Sequence, residues 1–107
     1  MNIEDYRDYS IAKKEVTEHI PFDDDVLVFK VCNKMFALAS LLKWEKGEGF
    51  IILKCDSEYA QELRAEFESI KPGYHIHKQQ WNSVYIYTGE LPQKLIFDLI
   101  DHSCNMI

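Results

Sequence analysis

The stretch KPGYHIHKQQW, residues 71–81, concentrates the side chains of this sequence that are best suited to binding chemistry. It carries two lysines, two histidines and a terminal tryptophan but no acid, whereas the whole chain has a net charge of −6. His75 and His77 are two residues apart, so in a strand both imidazoles would project from the same face, roughly 7 Å apart. Two imidazoles so placed could share a zinc ion with further protein ligands.

A metal site at these histidines would need a third or fourth protein ligand and a supporting shell of hydrogen bonds. Cys32 and Cys55 fall on other predicted strands, and nothing in their spacing requires either thiol to approach the histidines. Two half-exposed strand histidines are the simpler interpretation. We therefore predict no metal and no other cofactor.

Cys55 is the candidate nucleophile, because it ends a predicted strand and precedes a predicted helix whose dipole would lower the thiol pKa. Asp56 and Glu58 follow it in the sequence, and their negative charges would raise the thiol pKa. We interpret Cys55 as a buried structural thiol. The sequence also lacks the G-x-S-x-G, P-loop, G-x-G-x-x-G and H-E-x-x-H motifs, so we predict a protein that is not an enzyme.

A basic and aromatic patch is the remaining candidate site. Alternation places Val84 and Ile86 on one face of a strand. It places Trp81, Ser83, Tyr85 and Tyr87 on the other. If the valine and isoleucine face the helices, the aromatic side chains lie on the open face of the sheet. The candidate binding residues of this face are Lys30, Lys34, Lys54, His75, His77, Lys78, Trp81 and Tyr85. Taken alone, Trp81 is more typical of a large residue at the edge of a core.

Rings that stack on bases and lysines that contact phosphates are how several small domains hold single-stranded nucleic acid. Three features argue against sequence-specific reading of duplex DNA: the isoelectric point is about 5.1, Arg7 and Arg64 are the only arginines, and the predicted helices are acidic. Weak, non-specific binding of DNA through the sheet is therefore the leading prediction.

Two alternatives remain open. The same face, with its edge strands, could bind an extended segment of a protein partner by strand addition or by burying apolar side chains. A small anion could also be held by Lys30, Lys54, Lys78 and the histidines in a concave sheet.

Charge is segregated along the chain. Residues 30–54 contain five lysines and two acids, and residues 71–89 contain two lysines and no acid. Most acids fall in the predicted helices, so helices covering one face of a sheet would place most negative charge on that side. Lysines at strand ends that protect sheet edges are the simpler explanation.

Hydrophobic periodicity predicts strands at 26–31, 35–40, 50–55, 74–78 and 81–87. It predicts helices at about 3–14, at 56–70 and from about residue 92 onward. The predicted fold is α+β: a two-layer sandwich, α-β(3)-α-β(2)-α, with an antiparallel five-stranded sheet covered by helices on one face.

The length of 107 residues predicts a single domain. No apolar run reaches the roughly 18 residues of a membrane helix, and the acidic N-terminus is unlike a secretory signal. The three cysteines show no paired spacing, which favours free thiols in a reducing compartment. We therefore predict a cytoplasmic protein.

Four segments of this sequence together resemble the MmcQ/YjbR family: FKVCNKMFAL (29–38), ILKCDSEYAQELR (52–64), PGYHIHKQQWNSVYI (72–86) and LPQKLIFDLIDHS (91–103). The resemblance covers nearly the whole chain and implies a bacterial protein with the same α-β(3)-α-β(2)-α sandwich, a fold shared with type III secretion chaperones. Members of the family are often described as DNA-binding, which the resemblance makes an expectation here.

Overall fold

The computed structural model describes residues 1–20, 25–73 and 76–107. Within these ranges the helices are α1 (Ile3–Ile11), α2 (Leu41–Glu45), α3 (Ser57–Glu66) and α4 (Gln93–Asn105). The strands are β1 (Val16–His19), β2 (Val26–Val31), β3 (Lys34–Ser40), β4 (Phe50–Lys54), β5 (Ile70–Pro72) and β6 (Trp81–Tyr85). No helix in these ranges is both long enough and apolar enough to cross a membrane.

The strands form one sheet in the order β1-β2-β3-β4-β6-β5, and every neighbouring pair is antiparallel. This confirms the predicted α+β sandwich, although the sheet has six described strands and not five. The additional strand is β1, which pairs Val16 with Val31 of β2. Its four residues include a single apolar side chain, so hydrophobic alternation could not reveal it.

The hydrophobic core lies between the sheet and helices α1, α3 and α4, which together form the helix layer. Tyr6 of α1 and Ile100 of α4 are fully buried there, against Ile51 of β4 and Val84 of β6. Burying an aliphatic side chain of this size contributes roughly 1.5–3 kcal/mol of transfer free energy. Packing on this one face therefore fixes which strand residues point toward the helices and which point away.

The prediction of a strand at 74–78 is wrong for its described part, because Ile76–Lys78 forms a bend and a turn. Tyr74 and His75 lie outside the described residues. The strand is instead Ile70–Pro72, since α3 ends at Glu66 and the backbone is already extended at Phe67. Ile70 lies at a helical interval from the apolar residues of α3, but it belongs to β5 and packs into the hydrophobic core from that strand.

Residues 41–49, which lie between the predicted strands 35–40 and 50–55 and have the sequence of a polar loop, contain the short helix α2. Its first turn is capped by the Ser40 hydroxyl. Trp44 of α2 donates its indole N–H to the carbonyl oxygen of Phe50 and lies against Gly49, where a Cβ would come within 2.6 Å of the ring. The carbonyl oxygen of Gly49 in turn accepts hydrogen bonds from the backbone N–H groups of Ile86 and Tyr87. This contact fixes the end of β6 relative to the start of β4.

Candidate functional site

The open face is the sheet surface that points away from the helix layer. On it Lys54 lies opposite Trp81, and Phe50 lies opposite Tyr85. Val84, between the two aromatic residues of β6, points into the core. Trp81 and Tyr85 therefore lie on the face that the alternation pattern predicts.

The strand positions of the open face carry positive charge. Lys30 of β2, Lys54 of β4 and Lys71 of β5 lie on this face by their cross-strand pairing, as does His19 of β1. Among the described strand residues that point to this side there is no carboxylate. The helix layer instead displays exposed acids, which include Glu4, Asp8, Glu58, Glu62, Glu66 and Asp98.

The centre of the open face is closed. Val28, Ile52 and Ser83 are at most 5% exposed. Trp81 is also buried and packs against Gly73, where a Cβ would lie 2.9 Å from the tryptophan Cβ. Its ring is therefore not available for stacking, which agrees with the interpretation of Trp81 as a residue at the edge of a core.

Lys30 and Lys54 do not form one patch with the exposed aromatic rings, although Lys54 lies opposite the buried Trp81. Lys30 and Lys54 lie near the end of the sheet where the backbone N–H of Cys55 bonds the carbonyl oxygen of Gln80. Phe50 and Tyr85 lie four residues further along the paired strands, roughly 13 Å away. Lys30 and Lys54 thus lie at one end of the open face, and the exposed aromatic rings lie at the other end beside Lys71.

Lys34 does not join this face. It pairs with Val31 at the β2–β3 hairpin, and Val31 packs against the core, so Lys34 lies on the helix side of the sheet. The predicted grouping of Lys34 with the other lysines is wrong, because a bulge at Phe29 and Lys30 shifts the register next to the hairpin.

His77 and Lys78 are exposed in the turn that precedes β6. Arg64 of α3 anchors this turn: its Nε donates to Oδ1 of buried Asn82 at 2.6 Å, and Nη2 donates to the carbonyl oxygens of Lys78 and Trp81. The backbone of the turn is therefore fixed while its histidine and lysine side chains face solvent. Sequence analysis assigned Arg64 only to a helix, and nothing in the sequence signals this long-range contact.

The aromatic cluster consists of Phe50, Tyr85 and Tyr87. The rings of Phe50 and Tyr85 stack with 5.1 Å between centroids, and Tyr87 meets Tyr85 edge-on at 6.2 Å. Tyr87 is 57% exposed, the largest exposure of any large hydrophobic side chain described. This aromatic cluster therefore offers an exposed ring to a flat ligand.

Tyr87 lines one larger groove and two smaller ones. The larger has a volume of about 660 Å³ and is lined by Glu68, Ser69, Lys71, Tyr85, Tyr87, Thr88 and Glu90. One smaller groove has a volume of about 240 Å³ and is lined by Lys43, Glu48, Phe50, Tyr85 and Tyr87. The other has a volume of about 410 Å³ and borders Trp44, Gly49 and Ile86. Neither Lys71 nor Lys43 was predicted as a site residue. In the sequence, Lys71 directly follows the predicted helix 56–70, and Lys43 lies in the polar segment between the predicted strands 35–40 and 50–55.

One wall of the larger groove is an ordered hydrogen-bond network. Glu90 accepts the backbone N–H of Ser69 at 2.9 Å, and the hydroxyls of Ser69 and Thr88 are 2.6 Å apart. Hydrogen bonds from the Ser69 side chain and backbone hold the pKa of Glu90 below its ordinary value. Glu90 therefore keeps its negative charge and its position.

The sequence is similar to those of a known protein family. The sequence profile of the YjbR family matches residues 11–106. The chain belongs to the YjbR family. It is 40% identical to the YbdF protein of Escherichia coli O157:H7 over 87 residues, covering 81% of this chain and 68% of that protein. It is 29% identical to the YjbR protein of Escherichia coli K12 over 103 residues, covering 96% of this chain and 84% of that protein.

Solved structures agree with the family assignment. The crystal structure of Deinococcus radiodurans protein DR2400 superimposes with a TM-score of 0.83 at 34% identity, covering 95% of this chain and 75% of that one. A crystal structure of a Pseudomonas syringae protein gives a TM-score of 0.82 at 28% identity, covering 99% and 98% of the two chains. These relatives are bacterial, and their names assign no activity.

Cys55 of this YjbR-family chain is buried, as its interpretation as a structural thiol requires. Desolvation, with a smaller effect from Asp56, raises its pKa from 9.0 to about 11. The thiol is therefore protonated near neutral pH. Within the ranges that the structure describes, no group of three or more histidine, cysteine, aspartate or glutamate side chains is arranged to hold a metal ion.

The raised pKa of Cys55 predicts a loss of stability at alkaline pH. Between pH 9 and 11 the thiol ionises in the unfolded chain but not in the folded one, so the free energy of unfolding falls as pH rises. Below pH 9 the thiol is protonated in both the folded and the unfolded protein, so the free energy of unfolding keeps the full contribution of this group. We expect urea denaturation to show a smaller decline over this range for Cys55→Ala than for the wild type. Identical declines in the two proteins would contradict the assignment.

Proposed function

We propose that this YjbR-family protein is a non-enzymatic binding module that holds single-stranded nucleic acid weakly through the open face of its sheet. The supporting observation is the separation of charge across the two faces. Lys30, Lys54 and Lys71 share the open face with no carboxylate at its strand positions, while exposed acids cover the helix layer. A polyanion is attracted to the first surface and repelled by the second.

The aromatic cluster adds a surface for bases. Bases stack on exposed aromatic rings. This stacking discriminates little between sequences, because every base has a flat face. A strand that follows β4 and β6 would place phosphates beside Lys54 and an unpaired base beside Tyr85 and Tyr87. The bases of a duplex are already stacked on one another, so this geometry favours single strands.

Weak affinity follows from the small number of cations. The net charge of −6 opposes binding at long range, and only a few lysines contact the ligand. A location in the cytoplasm, where such nucleic acids occur, is part of the same proposal.

Fluorescence anisotropy of a labelled single-stranded dT oligonucleotide tests the proposal. With about three phosphates neutralised, raising the salt from about 50 to 200 mM should weaken binding roughly twentyfold. Duplex DNA of equal length should bind less tightly at both salt concentrations. Absence of binding at the lower salt, or binding that is insensitive to salt, would refute the proposal.

A protein segment is the second candidate partner. The mixed charge of the larger groove, and of the groove lined by Lys43 and Glu48, favours it. Strand addition at β5 has little support: Pro72 has no N–H group, and the N–H of Ile70 is bonded to the carbonyl oxygen of Phe67. At this edge of the sheet, such a segment would therefore bind through side chains in the grooves. Because the grooves carry charges of both signs, binding of that kind should weaken less with salt than the binding of a polyanion.

A further inference from the structure

We propose that the larger groove beside Tyr87 selects guanine among unpaired bases, a refinement that rests on the proposed binding of nucleic acid. The groove combines three chemical elements: an exposed tyrosine ring, carboxylates at Glu68 and Glu90, and the ammonium group of Lys71. Its volume of about 660 Å³ lies within the range of about 300–1,000 Å³ typical of sites for small organic ligands.

The polar groups of the groove differ in what they can bond. An ionised carboxylate only accepts hydrogen bonds, and a lysine ammonium only donates them. A base that satisfies both must present donors on one edge and acceptors on another. Guanine does so most completely: N1–H and the N2 amino group are adjacent donors, while O6 and N7 are the acceptors that lysine contacts in DNA recognition.

The two carboxylates have different roles. Glu90 already accepts the backbone N–H of Ser69, so it shapes the wall and supplies fixed charge. Glu68 is exposed, and neither it nor Lys71 forms an ion pair with any residue in the described part of the chain. Glu68 is thus the acceptor for the N1–H and N2 amino groups, and Lys71 the donor to O6 and N7.

Stacking on Tyr87 completes the site. The ring stands edge-on to Tyr85 at an interplanar angle of 89°, and the backbone N–H of Tyr87 bonds the carbonyl oxygen of Gly49. Tyr87 therefore lines the larger groove from a fixed backbone position, and its exposed ring is available to stack on a base that enters.

Titration of the ¹⁵N-labelled protein with 5′-GMP and with 5′-IMP tests this inference by NMR. The two nucleotides have the same charge and differ only in the N2 amino group. We expect GMP to shift the amide signals of Ser69, Tyr87 and Thr88 with a Kd on the order of 1 mM. IMP should bind about tenfold more weakly, because the paired contact to the carboxylate is lost.

Matched variants locate the contact. Glu68→Gln should abolish the preference for GMP over IMP, whereas Glu66→Gln, at the exposed end of α3, should keep it. Equal shifts with GMP and IMP, or no shift at these amides, would overturn the inference. A dT oligonucleotide contains no guanine, so its binding to the open face is decided separately and the proposed function would survive that failure.

Discussion

Replacing Arg64 by methionine is expected to lower the free energy of unfolding by about 3 kcal/mol, because hydrogen bonds to a charged group are lost and their acceptors are stranded. Arg64 donates to Oδ1 of Asn82 and to the carbonyl oxygens of Lys78 and Trp81. Asn82 is only 2% exposed, so water cannot readily replace the guanidinium. Urea denaturation followed by circular dichroism measures the loss.

Two further variants define the cause. Gln61→Met introduces the same side chain at an exposed position of α3 and should change stability by no more than about 0.5 kcal/mol. Arg64→Lys keeps the charge without the planar fork and should fall between the two. A loss below about 1 kcal/mol in Arg64→Met would show that the turn before β6 is held by other contacts.

Reversing charge at Lys30 and Lys54 together is expected to weaken single-stranded DNA binding at least tenfold at low salt, since each glutamate removes one phosphate contact and repels another. Both lysines lie on strands of the open face and are half-buried. The sheet therefore fixes the face on which their ammonium groups lie. Anisotropy titration of the dT oligonucleotide at about 50 mM salt measures the change.

The matched control carries the same change in net charge on the other side of the molecule. Lys14, which follows α1, and Lys94 of α4 are both exposed and lie outside the open face. The Lys14→Glu/Lys94→Glu variant should retain most of the affinity, because only long-range repulsion has increased. If the two double variants lost affinity equally, binding would depend on net charge alone.

The fold was largely predictable because its main strands carry strong local signals. Strand β2 was predicted with the bounds that the structure shows, since Val26–Val31 is almost wholly apolar and ends at a tight turn. The turn lies at Cys32 and Asn33, with φ values of 52° and 60° as a two-residue hairpin requires, one residue before the Asn33-Lys34 turn that the sequence predicts. Alternation also placed Trp81 and Tyr85 on the correct face.

Short elements escaped prediction for physical reasons. Strand β1 follows Glu15, whose φ of 64° carries no sequence signal in a residue other than glycine. Strand β5 has three residues and gains its place only by pairing with β6. Tertiary pairing, and not local preference, decides such segments.

The candidate site was predicted less well than the fold. The predicted lysines all lie on or beside predicted strands, but Lys34 points to the helix side of the sheet. Lys71 was not predicted, and it lies beside the aromatic cluster because it belongs to the unpredicted strand β5. The exposure of Tyr87, in contrast to the burial of Trp81, depends on packing around Gly49 and Gly73. Neither effect is encoded in a short window of sequence.

NMR mapping of a short dT oligonucleotide on the ¹⁵N-labelled protein tests the central claim most directly. Binding through the open face predicts that amide signals of β4, β6 and residues 85–87 shift together, that signals of α1 and α4 stay in place, and that added salt reverses the shifts. Shifts confined to the helix layer, or none at low salt, would contradict the claim.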